Sequence, residues 1–293
     1  ELAKNQKVPR DIVFVVDTSG SMMKDKKMEQ ARSALKHCLS GLTEDDRFAL
    51  ISFATTVEHY RDALAPANEE HLQQAEGWVN GLYAGGGTAI HDALSSALAM
   101  RTDDAERLFT VVFFTDGQPT IGEKNPDKIL SDIAAKNTDN TRIFSFGVGD
   151  DSNALFLDQI AEKTRAVYRF VRPGDNLEGK VARFFDRINH PVLANLQLST
   201  SGDVRLAETY PPQLPDLFHG DQLVVLARFQ GSTPTDIVLD GKIGMHDKQF
   251  VYEVDFADGA VDKPFIEELW ARRKVGYLLD QIRISGEEQE LVD

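Results

Sequence analysis

Apolar residues fall into two regimes that meet near His190-Pro191. Before that point, short and nearly unbroken apolar runs alternate with stretches whose apolar residues recur every three or four positions. The runs suit strands of a parallel sheet covered on both faces, and the periodic stretches suit amphipathic helices. Strands are predicted at residues 11–17, 47–54, 108–115, 142–148 and 166–171, with a more polar strand at 55–64 able to form a hairpin with its predecessor. Met28, Ala31, Leu35, Cys38 and Leu42 mark a helix over 26–41. Asn68 caps a helix carrying Leu72, Ala75, Val79 and Leu82, and Ile90, Ala93, Leu94, Ala97 and Leu98 mark the next. Asn125-Pro126 is a helix start, Ser152 caps a helix to about Thr164, and a last helix spans 177–188. After a polar lead-in at 1–10, the alternation over 11–189 predicts an α/β fold with a doubly wound, mostly parallel, Rossmann-like sheet.

From residue 190 the helical period disappears. Candidate strands at 192–200, 204–210, 222–230, 236–243 and 249–256 are separated by turn residues such as Ser201-Gly202-Asp203 and Asp240-Gly241. Residues 190–260 are expected to form a small antiparallel β domain, with a sandwich as one arrangement open to it. A helical segment occupies 261–293, its helix over 263–284.

Composition narrows the partners. The 293 residues carry 32 Lys and Arg against 47 Asp and Glu, a net charge of −15. That balance argues against nucleic acid or an anionic membrane surface, and mildly favours cations. No apolar run approaches the ~20 residues that span a bilayer, so direct membrane insertion is not expected. Cys38 is the only cysteine, which excludes an intrachain disulfide; its place on an apolar stripe reads as core. The chain begins at Glu1, and a processed or excised fragment is the expectation.

The candidate chemistry lies where strand one ends. Asp17, Ser19 and Ser21 place three oxygen-bearing side chains on one tight loop, at the edge of the sheet where ligands gather. Oxygen donors point to a hard cation. Two further segments belong to the same argument: Gly85-Gly86-Gly87-Thr88 before a helix, and Asp116-Gly117 closing an apolar run. Taken singly, each has an ordinary reading: Ser19, Ser21 or Thr88 as helix caps, and Asp116-Gly117 as a turn.

Together, Asp17-Thr18-Ser19-Gly20-Ser21, Gly86-Gly87-Thr88 and Phe114-Thr115-Asp116-Gly117 resemble the metal-ion-dependent adhesion site of von Willebrand factor A domains. The resemblance implies that Ser19 and Ser21 bind Mg²⁺ (Mn²⁺ or Ca²⁺ being possible) directly and that Thr88 does so directly or through water. Asp17 and Asp116 are implied to act through water and hydrogen bonds. It also implies a non-enzymatic protein-binding or adhesion module in which a partner's Asp or Glu carboxylate completes the coordination. Met22, Gly87, His91, Gly117 and Asp150 are then expected at the partner-binding rim. Residues 116–123 and 144–149, with Tyr210-Pro211-Pro212 and Leu269-Trp270, are similar to the inter-alpha-trypsin inhibitor heavy chains and bacterial proteins of the same layout. From that resemblance alone, an extracytoplasmic or cell-surface setting is expected.

Two alternatives stand beside it. One is an intracellular assembly factor. The other is a metal-dependent phosphotransferase of the haloacid-dehalogenase type. That chemistry needs an acidic group two residues after the nucleophilic Asp, where this chain has Ser19.

Overall fold

The computed structural model describes residues 9–104, 107–137, 141–149, 152–172, 175–188, 191–218, 221–231, 234–243, 246–255 and 265–285. The chain divides into two compact units, 1–190 and 191–293.

In the first unit the elements run β1 (Arg10–Asp17), a 3₁₀ turn (Gly20–Lys26), α1 (Lys27–Ser40), β2 (Arg47–Phe53), β3 (Val57–His59), β4 (Ala65–Pro66), α2 (Glu69–Gly81) and α3 (Ile90–Ala99). They continue through β5 (Leu108–Thr115), α4 (Pro126–Lys136), β6 (Arg142–Val148), α5 (Ala154–Lys163), β7 (Tyr168–Val171) and α6 (Leu177–Ile188). The sheet order is β3-β2-β1-β5-β6-β7, with β4 paired to β2. β2, β1, β5, β6 and β7 are mutually parallel, and only the short β3 and β4 run antiparallel.

The apolar runs became central strands because both of their faces are needed. Val13 and Val15 face a cluster closed by Ile90 and Leu94 of α3, Ile129 and Ile133 of α4, and Phe156 and Ile160 of α5. Phe14, between them, meets Phe185 of α6 on the other face, where Phe114, Phe146 and Phe184 also pack ring to ring. Cys38 is buried on α1, as its place on the apolar stripe implied.

Two caps behave as predicted. The Asn68 side chain accepts from the His71 N–H, and that of Asn125 accepts from the N–H groups of Asp127 and Lys128. The Ser152 cap is corrected: Asn153 caps α5 by accepting from the Phe156 N–H, while the Ser152 hydroxyl donates to the Gly149 carbonyl. The predicted strand over 55–64 is reduced to three residues, Val57–His59.

The second unit holds β8 (Pro191–Thr200), β9 (Arg205–Tyr210), β10 (Leu217–Phe218), β11 (Leu226–Gln230), β12 (Thr235–Ile243), β13 (His246–Val254) and α7 (Phe265–Ser285). A four-stranded sheet runs β10-β8-β12-β13, and β11 pairs with β9. All these pairings are antiparallel, as the turn spacing predicted. Tyr210 and Trp270, from two separated segments, meet edge to face at 6.2 Å, and Trp270 Nε1 donates to the Glu208 carbonyl.

Asp240-Gly241 is not a turn. It lies inside β12, where the register against β8 shifts between Asp240 and Lys242. A Cβ on Gly241 would stand 2.7 Å from Leu193 Cγ and 2.9 Å from Leu196 Cδ2, so close packing rather than chain reversal requires the glycine. Gly241→Ala is expected to destabilise this unit by about 1–3 kcal/mol, the usual cost of overpacking. Faster hydrogen exchange at β8 and β12 amides, with β1 and β5 unchanged, is the measurement.

No described helix is long and apolar enough to cross a membrane.

Candidate functional site

The register of two neighbouring strands builds the site. β1 and β5 pair with Val16 opposite Phe114, which places Thr115 beside Asp17 at their carboxyl ends. The Thr115 hydroxyl donates to Asp17 Oδ2 at 2.6 Å, and the Ser19 N–H donates to Asp17 Oδ1 at 2.7 Å. Both oxygens of a wholly buried carboxylate are thereby held. Burial pushes the Asp17 pKa up to about 6, against the lowering effect of its bonds to Ser19 and Thr115; nearby Asp116 adds to the rise. Burial disfavours the charged form of Asp17, so its surroundings favour a compensating cation.

The next residues present their hydroxyls inward. The Ser19 side chain makes no capping bond to the 3₁₀ turn. Its Oγ lies 3.1 Å from Ser21 Oγ, and the Ser21 hydroxyl donates to Asp116 Oδ1 at 2.7 Å. The loop is fixed by backbone bonds: Thr18 N–H to the Phe53 carbonyl, Gly20 N–H to that of Gly86, and Gly85 N–H to that of Thr18.

Thr88 is buried, and the cap position of α3 falls on Ala89, without a side-chain capping bond. A Cβ on Gly117 would lie 3.6 Å from Thr88 Oγ1 and 3.8 Å from Ser21 Oγ, so both hydroxyls border the space beside Gly117. The glycines bring Thr88 there. Gly86 has φ +83°, and a Cβ on Gly87 would strike Ile121 Cγ1 at 2.5 Å. Thr120 closes the contact by accepting from the Thr88 N–H at 2.8 Å.

Asp17, Ser19, Ser21, Thr88 and Asp116, spread over a hundred residues of sequence, thus meet at one end of the sheet. None of the hydroxyls is used as a cap. Among the described residues no group of three His, Cys, Asp or Glu side chains is placed to hold a metal. The donors here are two carboxylates and three hydroxyls, an all-oxygen set that fits a hard divalent cation.

The expected rim needs revision. Met22 is 0% exposed, because the 3₁₀ turn directs it into the core, and Met23, 66% exposed, is the methionine at the surface. Gly87 and Gly117 are half-buried beside the cluster. His91 lies between two carboxylates, 3.2 Å from Asp92 Oδ1 and 3.2 Å from Asp132 Oδ2. Asp150 lies outside the described residues.

One residue escaped the sequence reading. Lys27 is buried, and its Nζ donates to Asp116 Oδ2 at 2.8 Å. It falls inside the helix read over 26–41, but is not among the apolar positions that mark that helix. The available signal was helical spacing, since Lys27 stands four residues before Ala31 on the stripe that also carries Ala34 and Cys38.

The fold and cluster define a class: doubly wound α/β domains whose hydroxyls and carboxylates converge at the carboxyl edge of the central strands. The chain belongs to the von Willebrand factor type A domain family, whose model matches residues 11–180. Human inter-alpha-trypsin inhibitor heavy chain H4 is 28% identical over 94% of this chain, which covers 31% of that protein. The chain thus spans about a third of the length of the curated relatives it matches. A von Willebrand factor type A structure from Catenulispora acidiphila superposes with TM-score 0.71 at 17% identity, over 92% of this chain and 72% of that one. Proximal thread matrix protein 1 of the mussel byssus, solved with a zinc-occupied MIDAS motif, superposes with TM-score 0.51 at 17% identity, over 66% of this chain and 50% of that one.

Proposed function

We propose that residues 11–189 form a divalent-metal-dependent protein-binding module, working outside the cytoplasm or at a cell surface. Ser19, Ser21 and Thr88 would hold Mg²⁺, with Mn²⁺ or Ca²⁺ as substitutes, and Asp17 and Asp116 would orient the hydroxyls and bound waters. The observation that carries this reading is the convergence of the Ser19 and Ser21 hydroxyls, 3.1 Å apart, with Ser21 held by a buried carboxylate. Ser19 is buried and Ser21 half-buried, and hydroxyls that face one another without making a capping bond serve a ligand better than they serve the fold. Zinc in the corresponding motif of a protein of the same fold supports the reading.

A cation bound by neutral hydroxyls keeps most of its charge and attracts an anionic ligand. The partner supported best is a protein presenting an Asp or Glu carboxylate. The chain's own residues then hold and orient, and binding is favoured over catalysis because Ser19 occupies the place where a phosphotransferase needs its proton donor.

The test is calorimetric titration of Mg²⁺ into chelator-treated protein, followed by a partner screen in Mg²⁺ and in EDTA. One-site metal binding and capture that EDTA abolishes are expected. Metal-dependent hydrolysis of a generic phosphate ester, lost in Asp17→Asn, would overturn the binding reading in favour of phosphotransfer.

A further inference from the structure

Asp116 serves two donors. Its Oδ1 accepts from Ser21 at 2.7 Å, and its Oδ2 accepts from Lys27 Nζ at 2.8 Å. The ion pair is deeply buried, with side-chain exposures of 6% for Lys27 and 0% for Asp116. The backbone is arranged to put the lysine there. Asp25 and Lys26 have φ of 52° and 57°, and this left-handed kink between the 3₁₀ turn and α1 turns Lys27 inward. At the other end of the side chain, a Cβ on Gly149 would stand 3.1 Å from both Lys27 Cε and Nζ, so the end of β6 closes over the ammonium group.

Burying an ammonium group is costly, and an apolar residue on the same stripe would fill the space without that penalty. A fold that keeps the lysine gains something other than packing.

We propose that Lys27 is a resident counter-cation that sets the net charge of the metal site and so makes the loaded site select an anionic ligand. The proposal rests on the metal-binding reading above. Asp17 and Asp116 contribute two negative charges and Lys27 one positive charge, leaving one negative charge in the shell. A divalent cation converts that into one positive charge, which an incoming carboxylate neutralises. Without Lys27 the loaded site would carry no net charge, and most of the electrostatic gain on meeting a carboxylate would be lost. Lys27 therefore weakens metal binding and strengthens anion capture. These opposite effects separate a charge-setting role from a packing role.

The test uses the whole chain at one pH, Mn²⁺ as the metal, acetate as the anionic probe and acetamide as its neutral counterpart. In the wild type, acetate is expected to raise Mn²⁺ affinity and acetamide to leave it unchanged. Lys27→Met is expected to bind Mn²⁺ about tenfold more tightly, as removal of a unit charge near a divalent ion implies. It should also lose the acetate enhancement. Lys27→Gln, which keeps a polar donor towards Asp116, serves as the uncharged variant if Lys27→Met does not fold, and the same gain in Mn²⁺ affinity and loss of acetate enhancement are expected. Lys27→Arg keeps the charge in a different shape and is expected to retain the acetate enhancement.

Unchanged or weaker Mn²⁺ binding by Lys27→Met with the acetate enhancement intact would overturn the proposal while leaving the metal site standing. Loss of the enhancement in Lys27→Arg, which keeps the charge, would also overturn it. Failure of the wild type to bind Mn²⁺ with or without acetate would instead remove the metal-binding reading, and this proposal with it.

Discussion

Replacing Ser19 and Ser21 together with alanine is expected to abolish saturable Mg²⁺ and Mn²⁺ binding, a loss of at least about a hundredfold in affinity. Two of the three hydroxyls at the cluster disappear, and Asp116 Oδ1 loses the donor that fixes it at 2.7 Å. An unsatisfied buried acceptor costs about 1–3 kcal/mol, and Lys27 still compensates the charge, so the metal-free variant should remain folded with a modestly lowered melting temperature. Calorimetric titration combined with thermal melts, with and without Mg²⁺, separates the two effects. Wild-type protein should gain stability with added metal, since a ligand bound only by the native state shifts the equilibrium towards it. The variant should not. A variant still stabilised by Mg²⁺ to the same extent would place the cation elsewhere.

The converse result is expected at the opposite end of the sheet. Asp11, at the start of β1, is 1% exposed and is gripped by two guanidinium groups. Arg47 reaches it with Nε at 2.8 Å and Nη2 at 2.6 Å, and Arg107 Nε donates at 2.7 Å. Arg107 Nη2 also donates to the Arg10 and Asp45 carbonyls, so Asp11 and Arg107 together tie β1 to β2, to the segment entering β5 and to the turn before β2. Removing one partner of a buried ion pair costs about 3–5 kcal/mol. Against a typical total of about 5–15 kcal/mol, Asp11→Ala should bring the domain close to unfolding. Asp11→Asn, keeping the shape and one acceptor, should lie between. Urea denaturation measures the loss. Metal affinity of the protein that remains folded should be unchanged, because Asp11 lies a full strand length from Asp17.

The contrast between these sites also explains what the sequence could reveal. Asp17, Ser19 and Ser21 were legible because they lie within five residues and follow an apolar run that suits a buried strand. Asn68 and Asn125-Pro126 were legible for the same local reason, since a cap is decided within four residues. Lys27 was not, because its environment comes from Asp116 and Gly149, far along the chain. Met22 and Met23 are adjacent and chemically identical, and only the direction of the 3₁₀ turn decides which is buried. Asp240-Gly241 has turn composition, yet the closeness of Leu193 and Leu196 explains its glycine. Local chemistry was readable; choices fixed by distant neighbours were not.

The strand order carries a consequence for kinetics. β1 is the first strand among the described residues, and Asp116, at the end of β5, lies 95 residues beyond Ser21 of the loop that follows β1. Closing so long a loop comes late in assembly, as non-local pairing is slow to form. The hydroxyls and carboxylates converge only once β1 and β5 are in register, and that convergence is expected to follow the main folding barrier. Interactions absent from the transition state act mainly on the rate of leaving the native state. Saturating Mg²⁺ should accordingly leave the refolding rate nearly unchanged and slow unfolding, making the cation a latch on a finished domain rather than a template for building it.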